Sequence, residues 1–96
     1  MDFIQINFIK NYMFCLVKNE EKYLVLIGKI LKPKIEYETV YSKAWLTDRI
    51  TDCMPTSYSA HIDLTFVAKD DTLFHLISLH NKEEYDTILS IAEVTL

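Results

Sequence analysis

Glycine is almost missing from this chain: Gly28 is the only one among 96 residues, alongside two prolines and two cysteines. A loop that wraps its backbone around a phosphate needs several closely spaced glycines, so nucleotide sites of that kind are excluded. So few glycines and prolines also argue against a flexible linker, a collagen-like repeat or a disordered tract. Cys15 and Cys53 are read as free, buried thiols, with pairing between them left open. Long apolar runs are missing too. The longest, 12–17 and 23–28, fall far short of the about 20 residues a membrane-spanning helix requires. The opening MDFIQINFIK carries Asp2 and alternating polar residues where a secretory leader would have a basic stretch and an apolar core. A reduced, cytoplasmic setting is therefore expected, with no membrane contact.

Positive charge is sparse as well. Fourteen acidic and ten basic side chains give a net charge of −4, and the densest basic cluster is Lys29, Lys32 and Lys34 around Pro33. Binding to nucleic acid draws its affinity from a concentrated basic footprint, so nucleic acid is not an expected partner. The acidic residues are scattered, without the long rows of a polyanion that imitates DNA.

What remains is apolar and strongly patterned. Half of the residues are hydrophobic, enough for one core in one domain spanning 1–96. Residues 3–9 alternate, with Ile4, Ile6 and Phe8 on one side and Gln5 and Asn7 on the other, the period of a half-buried strand. Segments 11–18 and 22–31 are rich in aromatic and β-branched residues and flank Asn19, Glu20 and Glu21. They read as a β-hairpin, with one long helix over 8–31 as the competing reading. Residues 35–41 alternate again, and 43–53 reads as a short helix capped by Ser42, with Trp45, Leu46, Ile50 and Cys53 on one face. Residues 60–69 and 72–80 read as a second hairpin about Asp70 and Asp71. Its apolar side (Ile62, Leu64, Phe66) is expected to pack under the final helix. That helix begins with Asn81 and Glu84 at capping-box spacing and repeats Tyr85, Ile88, Leu89, Ala92 and Leu96 on one face. The fold class is therefore α+β: an antiparallel sheet of five to six strands, open or curled into a small barrel, with a short middle helix and an amphipathic carboxy-terminal one.

The first hairpin is apolar on both sides. With Lys18 opposite Lys22, Tyr12, Phe14, Leu16, Leu24 and Leu26 share one face, and Met13, Cys15, Val17, Tyr23, Val25 and Ile27 the other. Both faces need cover, and the last helix can supply only one. The helix bearing Trp45, a curled sheet or a second copy of the chain could supply the other. Residues 73–94, a final strand followed by a capped helix, resemble the closing segment of the pleckstrin-homology architecture. That resemblance implies a lipid- or peptide-binding module. Tyr85 and Ile88 stand where that family carries a tryptophan, and Glu20 and Glu21 lie between Lys18 and Lys22, so the lysine-rich lipid loop is not matched.

Chemistry is confined to one place. With Lys69 opposite Thr72, Asp63 faces Ser78 and His61 faces His80, which collects His61, Asp63, Ser78 and His80 on one face. These residue types suit a metal site (His61, Asp63, His80) or a Ser-His-Asp arrangement. Their spacing matches no recognised motif, and solvent-facing polar residues explain them as well. His75 is expected at the core edge, opposite Phe66, with a satisfied hydrogen bond. No catalytic set and no cofactor are expected. Tyr37, Tyr41, Trp45 and Tyr58 are the aromatic candidates for a protein interface, with burial in the core as the alternative for Trp45. The leading expectation is a non-enzymatic protein-binding module (an inhibitor, adaptor or immunity-type regulator) that binds another protein or a second copy of itself. A small metal-binding or hydrolytic domain is the alternative.

Overall fold

Two-residue turns set the register of the amino-terminal half. In the computed structural model, which describes residues 2–30, 43–53, 61–67 and 72–96, the strands β1 (Asp2–Ile9), β2 (Tyr12–Asn19) and β3 (Lys22–Lys29) form an antiparallel meander. Lys10 and Glu20, the first central residue of each turn, hold positive φ of 54° and 58°. That backbone matches the twist of the flanking strands in a tight hairpin. Glu20 and Glu21 alone make the second turn, so Asn19 pairs with Lys22 and Lys18 with Tyr23. The three-residue turn expected from the sequence is thus one residue too long, and every β3 side chain changes face. Tyr23, Val25 and Ile27 join Phe14 and Leu16, while Leu24 and Leu26 join Met13, Cys15 and Val17. Both faces stay apolar, because the strand is apolar at odd and even positions alike.

A bulge interrupts β1. Phe3 pairs with Val17 and Gln5 with Leu16, which leaves Ile4 as the extra residue. Phe3 enters the core in its place and Ile4 is exposed, so the expected trio of Ile4, Ile6 and Phe8 is broken at its first member.

The sheet continues with β4 (Asp63–Val67) and β5 (Leu73–Leu79) in the order β1-β2-β3-β5-β4, antiparallel throughout. It is open, with β1 and β4 at its edges, so it does not curl into a barrel. A helix covers each face instead. Helix α1 (Lys43–Cys53) places Leu46 and Ile50 over Met13, Leu24 and Leu26. Helix α2 (Glu83–Thr95) places Tyr85 and Ala92 over Phe14, Leu16 and Val25.

Pairing of β5 with β3 decides which helix covers the second hairpin. Leu24 faces Ser78 and Leu26 faces Leu76, so Ile62, Leu64 and Phe66 extend the face under α1. The expectation that α2 covers these residues is corrected: they are shielded from water, by the other helix. The start of α2 does follow the sequence. The Glu84 N–H donates to Asn81 Oδ1 at 3.1 Å, and Tyr85, Ile88, Leu89, Ala92 and Leu96 form the packed face. The expected strand at 35–41, the cap at Ser42, the connection at 54–59 and the turn at Asp70 and Asp71 lie outside the described residues.

Gly28 sits opposite Met13 in β3 and faces the ring of Phe74. A Cβ there would lie 2.4 Å from Phe74 Cδ1 and Cε1, and that ring is fully buried and stacked on Phe66 at 5.4 Å between centroids. The aromatic ring has nowhere to move. Gly28→Ala is therefore expected to lower stability by about 1–3 kcal/mol, measured by urea unfolding, through overpacking of this contact.

Candidate functional site

The β4–β5 register governs every chemical candidate on the second hairpin. Val67 pairs with Leu73, Thr65 with His75 and Asp63 with Ile77, one residue away from the expected alignment. The shared face of His61, Asp63, Ser78 and His80 is therefore not formed. Ser78 lies opposite Ile62: its N–H donates to the Ile62 carbonyl, and the Ile62 N–H donates to Ser78 Oγ, each at 2.8 Å. Asp63 projects from the other face and hydrogen-bonds through Oδ1 to His75 Nε2. His75 thus has the satisfied hydrogen bond expected of it, although it stands opposite Thr65, half-exposed, and not opposite Phe66. Both partners of this pair face solvent, so it stabilises the fold only weakly. Among the described residues, no three of His, Cys, Asp and Glu come together as a metal site.

Three of the four expected residues do meet, around different neighbours. His61, Ser78 and His80 line an open cavity of about 360 Å³ together with Glu21, Lys22, Tyr23 and Leu79. The tight β2–β3 turn brings Glu21 and Lys22 there, and the pairing of Tyr23 with Leu79 places that turn beside the end of β5.

A second concavity, almost wholly apolar, runs between α2 and the sheet. It encloses about 300 Å³ and is lined by Tyr12, Phe14 and Ile27 from the sheet and by Ile88, Ile91, Ala92, Thr95 and Leu96 from the helix end of the chain. Its helix wall is held in place by Tyr85, fully buried, whose hydroxyl lies 2.9 Å from both the Phe14 carbonyl and Asn7 Oδ1. Burial above all, then the Cys15 thiol and the Asp86 carboxylate, pushes the Tyr85 phenol well above its ordinary range. Ile91 is 59% exposed at the groove and Val94, one turn further on, is 89% exposed. Sequence reasoning passed over these two. Their signal was nonetheless present: Ile88, Ile91 and Val94 recur every three residues and widen the apolar stripe of α2 beyond what a sheet can cover.

Of the aromatic interface candidates, Tyr37, Tyr41 and Tyr58 lie outside the described residues. Trp45 lies in α1, with its side chain outside the described part. Among the described residues, no helix is long and apolar enough to cross a membrane. No family model matches the chain, and no curated protein or solved structure is significantly similar to it.

Proposed function

We propose that this chain is a non-enzymatic protein-binding module, and that the groove between α2 and the sheet, with the exposed flank of α2, is its contact surface. The observation that carries this reading is the apolar flank itself. Ile91 and Val94 present large hydrophobic side chains to solvent beside a concavity lined almost entirely by apolar residues. Contiguous apolar surface of this kind favours association, since each such side chain removed from water contributes about 1.5–3 kcal/mol.

Charge favours a different protein over a second copy. Helix α2 carries Glu83, Glu84, Asp86 and Glu93 and has no base in its last turn. Two copies docked through this flank would oppose those carboxylates, and like charges across an interface disfavour pairing. The partner that fits is a protein segment with an apolar anchor for the groove and basic residues to face α2. Lys29, which pairs with Tyr12 at the sheet wall, leaves room for an acid at the far end of that segment.

The test is capture by the intact chain from native extract, run beside Ile91→Asp and Val94→Asp. Both positions are mainly solvent-exposed, so each variant should remain folded, with a urea midpoint close to that of the wild-type chain. The expected result is a partner retained by the wild-type chain, lost from both variants, and crosslinked to α2 through a lysine- or arginine-flanked apolar segment. Identical capture by all three proteins sinks the proposal. A dimer in light scattering that Ile91→Asp dissolves would make the occupant a second copy and overturn the charge argument.

A further inference from the structure

The cavity at the β2–β3 turn is separate from the groove and differs from it in chemistry. Its walls are rich in hydrogen-bond donors. Lys22 brings an ammonium group, which can only donate. Each imidazole of His61 and His80 carries at least one N–H in either of its protonation states. Ser78 is committed in direction: its oxygen accepts the Ile62 N–H, so its own proton is left to donate elsewhere. Tyr23 adds a phenol, and the Lys18 ammonium stands over the Tyr23 ring, 5.7 Å from its centroid, adding positive charge behind that wall. Among the described lining residues, one carboxylate, Glu21, exposed on the turn, stands against these donors.

A ligand for such a cavity must accept several hydrogen bonds. A metal cation is disfavoured, because an ammonium group shares the lining and no three described ligand residues converge. An apolar ligand would leave the donors without partners. The geometry points to a small oxyanion of the phosphate class, held by Lys22, His61, Ser78 and His80. Glu21 acts against it by like-charge repulsion. The volume of about 360 Å³ accommodates a phosphate group together with a small organic substituent.

Titration of the full chain with inorganic phosphate, at ionic strength fixed with chloride and followed by nuclear magnetic resonance, tests this. Expected are saturable shifts confined to Glu21–Tyr23, His61 and Ser78–His80. Lys22→Met should weaken binding by roughly tenfold, the effect of losing one charge-assisted hydrogen bond. Glu21→Gln should tighten it by roughly two- to fivefold, as expected for removal of an exposed like charge. Phosphoserine binding more tightly than inorganic phosphate would identify an organic phosphate as the source; the reverse order would identify the free ion. Linear shifts that chloride reproduces, or that include Lys29 equally, overturn the inference. So does weaker binding in Glu21→Gln, because the carboxylate would then be serving as a ligand. Glu21 lies in the exposed turn and Lys22 opens β3 beside it, and an unchanged amide spectrum elsewhere confirms that each variant is folded. Loss of partner capture through Ile91 leaves this result untouched, and phosphate binding leaves the groove untested.

Discussion

Tyr85→Ala is expected to lower the stability of the chain by about 3–5 kcal/mol, in the range of buried aromatic truncations. Total stability for a chain of 96 residues is of order 5–15 kcal/mol, so this single change brings the fold near its limit. Tyr85 is the largest fully buried side chain among the described residues, and it attaches α2 to three strands: its ring packs in one cluster with Phe14 and Leu16 of β2 and Val25 of β3, and its hydroxyl meets Asn7 of β1 and the Phe14 carbonyl of β2. Asn7 is itself positioned by Gln5, whose Nε2 donates to Asn7 Oδ1 at 2.9 Å. Tyr85→Phe separates the two contributions. It keeps the ring and removes the one proton the hydroxyl can donate, and should cost about 1–2 kcal/mol, the usual worth of one buried hydrogen bond. The phenol also imposes a pH dependence. The folded chain keeps its proton to higher pH than the unfolded chain does, so above the ordinary tyrosine range the unfolded state binds fewer protons and stability falls as pH rises. Tyr85→Phe should flatten that alkaline decline in urea midpoints measured from pH 8 to 11. An unchanged decline would show that other groups produce it.

The second hairpin and both helices were legible because their periods are clean, whereas 8–31, apolar at odd and even positions alike, suited both a hairpin and a long helix, and the chain forms the strands. Residues 43–53 and the start of α2 at Asn81 could be read directly, since a broken hydrophobic period and a capping residue are local signals. Registers were not legible, and both hairpins slipped by one residue. At Glu20 and Glu21 nothing local announces a two-residue turn: neither residue is glycine or asparagine, and Glu20 takes up its left-handed conformation under the demand of pairing on both sides. In β2 and β3 the slip costs nothing to the pattern, because an apolar residue falls on each face in either register. On the second hairpin it cost the candidate site, since Asp63 moved from Ser78 to Ile77 and found His75 instead. The division of the core between two helices was equally hidden. It depends on β5 inserting between β3 and β4, a long-range choice that no window of sequence contains.

That division supplies the second large effect. Ile50→Ala is expected to lower stability by about 2–5 kcal/mol, and Leu46→Ala by a similar amount. Both side chains are almost completely buried against the face that carries Met13, Leu24, Leu26, Ile62 and Phe66. Helix α1 has few resources of its own. It spans 11 residues, below the about 12–15 at which isolated helices hold in water, and has neither acid in its first turn nor base in its last. Its Thr51 hydroxyl bonds back to the Thr47 carbonyl at 2.7 Å, which adds nothing across the helix, and Arg49 reaches the Phe66 ring only at 6.0 Å. Among the described side chains, docking through Leu46 and Ile50 is therefore what holds these residues helical. Once one anchor is lost the second loses much of its grip, so the double variant should cost less than the sum of the two single ones, a coupling read from a double-mutant cycle in urea. Thr51→Ala, on the exposed side, should stay within about 0.5 kcal/mol of wild type. The double variant should also bind a hydrophobic dye and associate in light scattering, because a released α1 uncovers the apolar face of a five-stranded sheet. Strict additivity with no new dye binding would mean that α1 stays docked without its two anchors, and that the cover of this face comes from elsewhere in the chain.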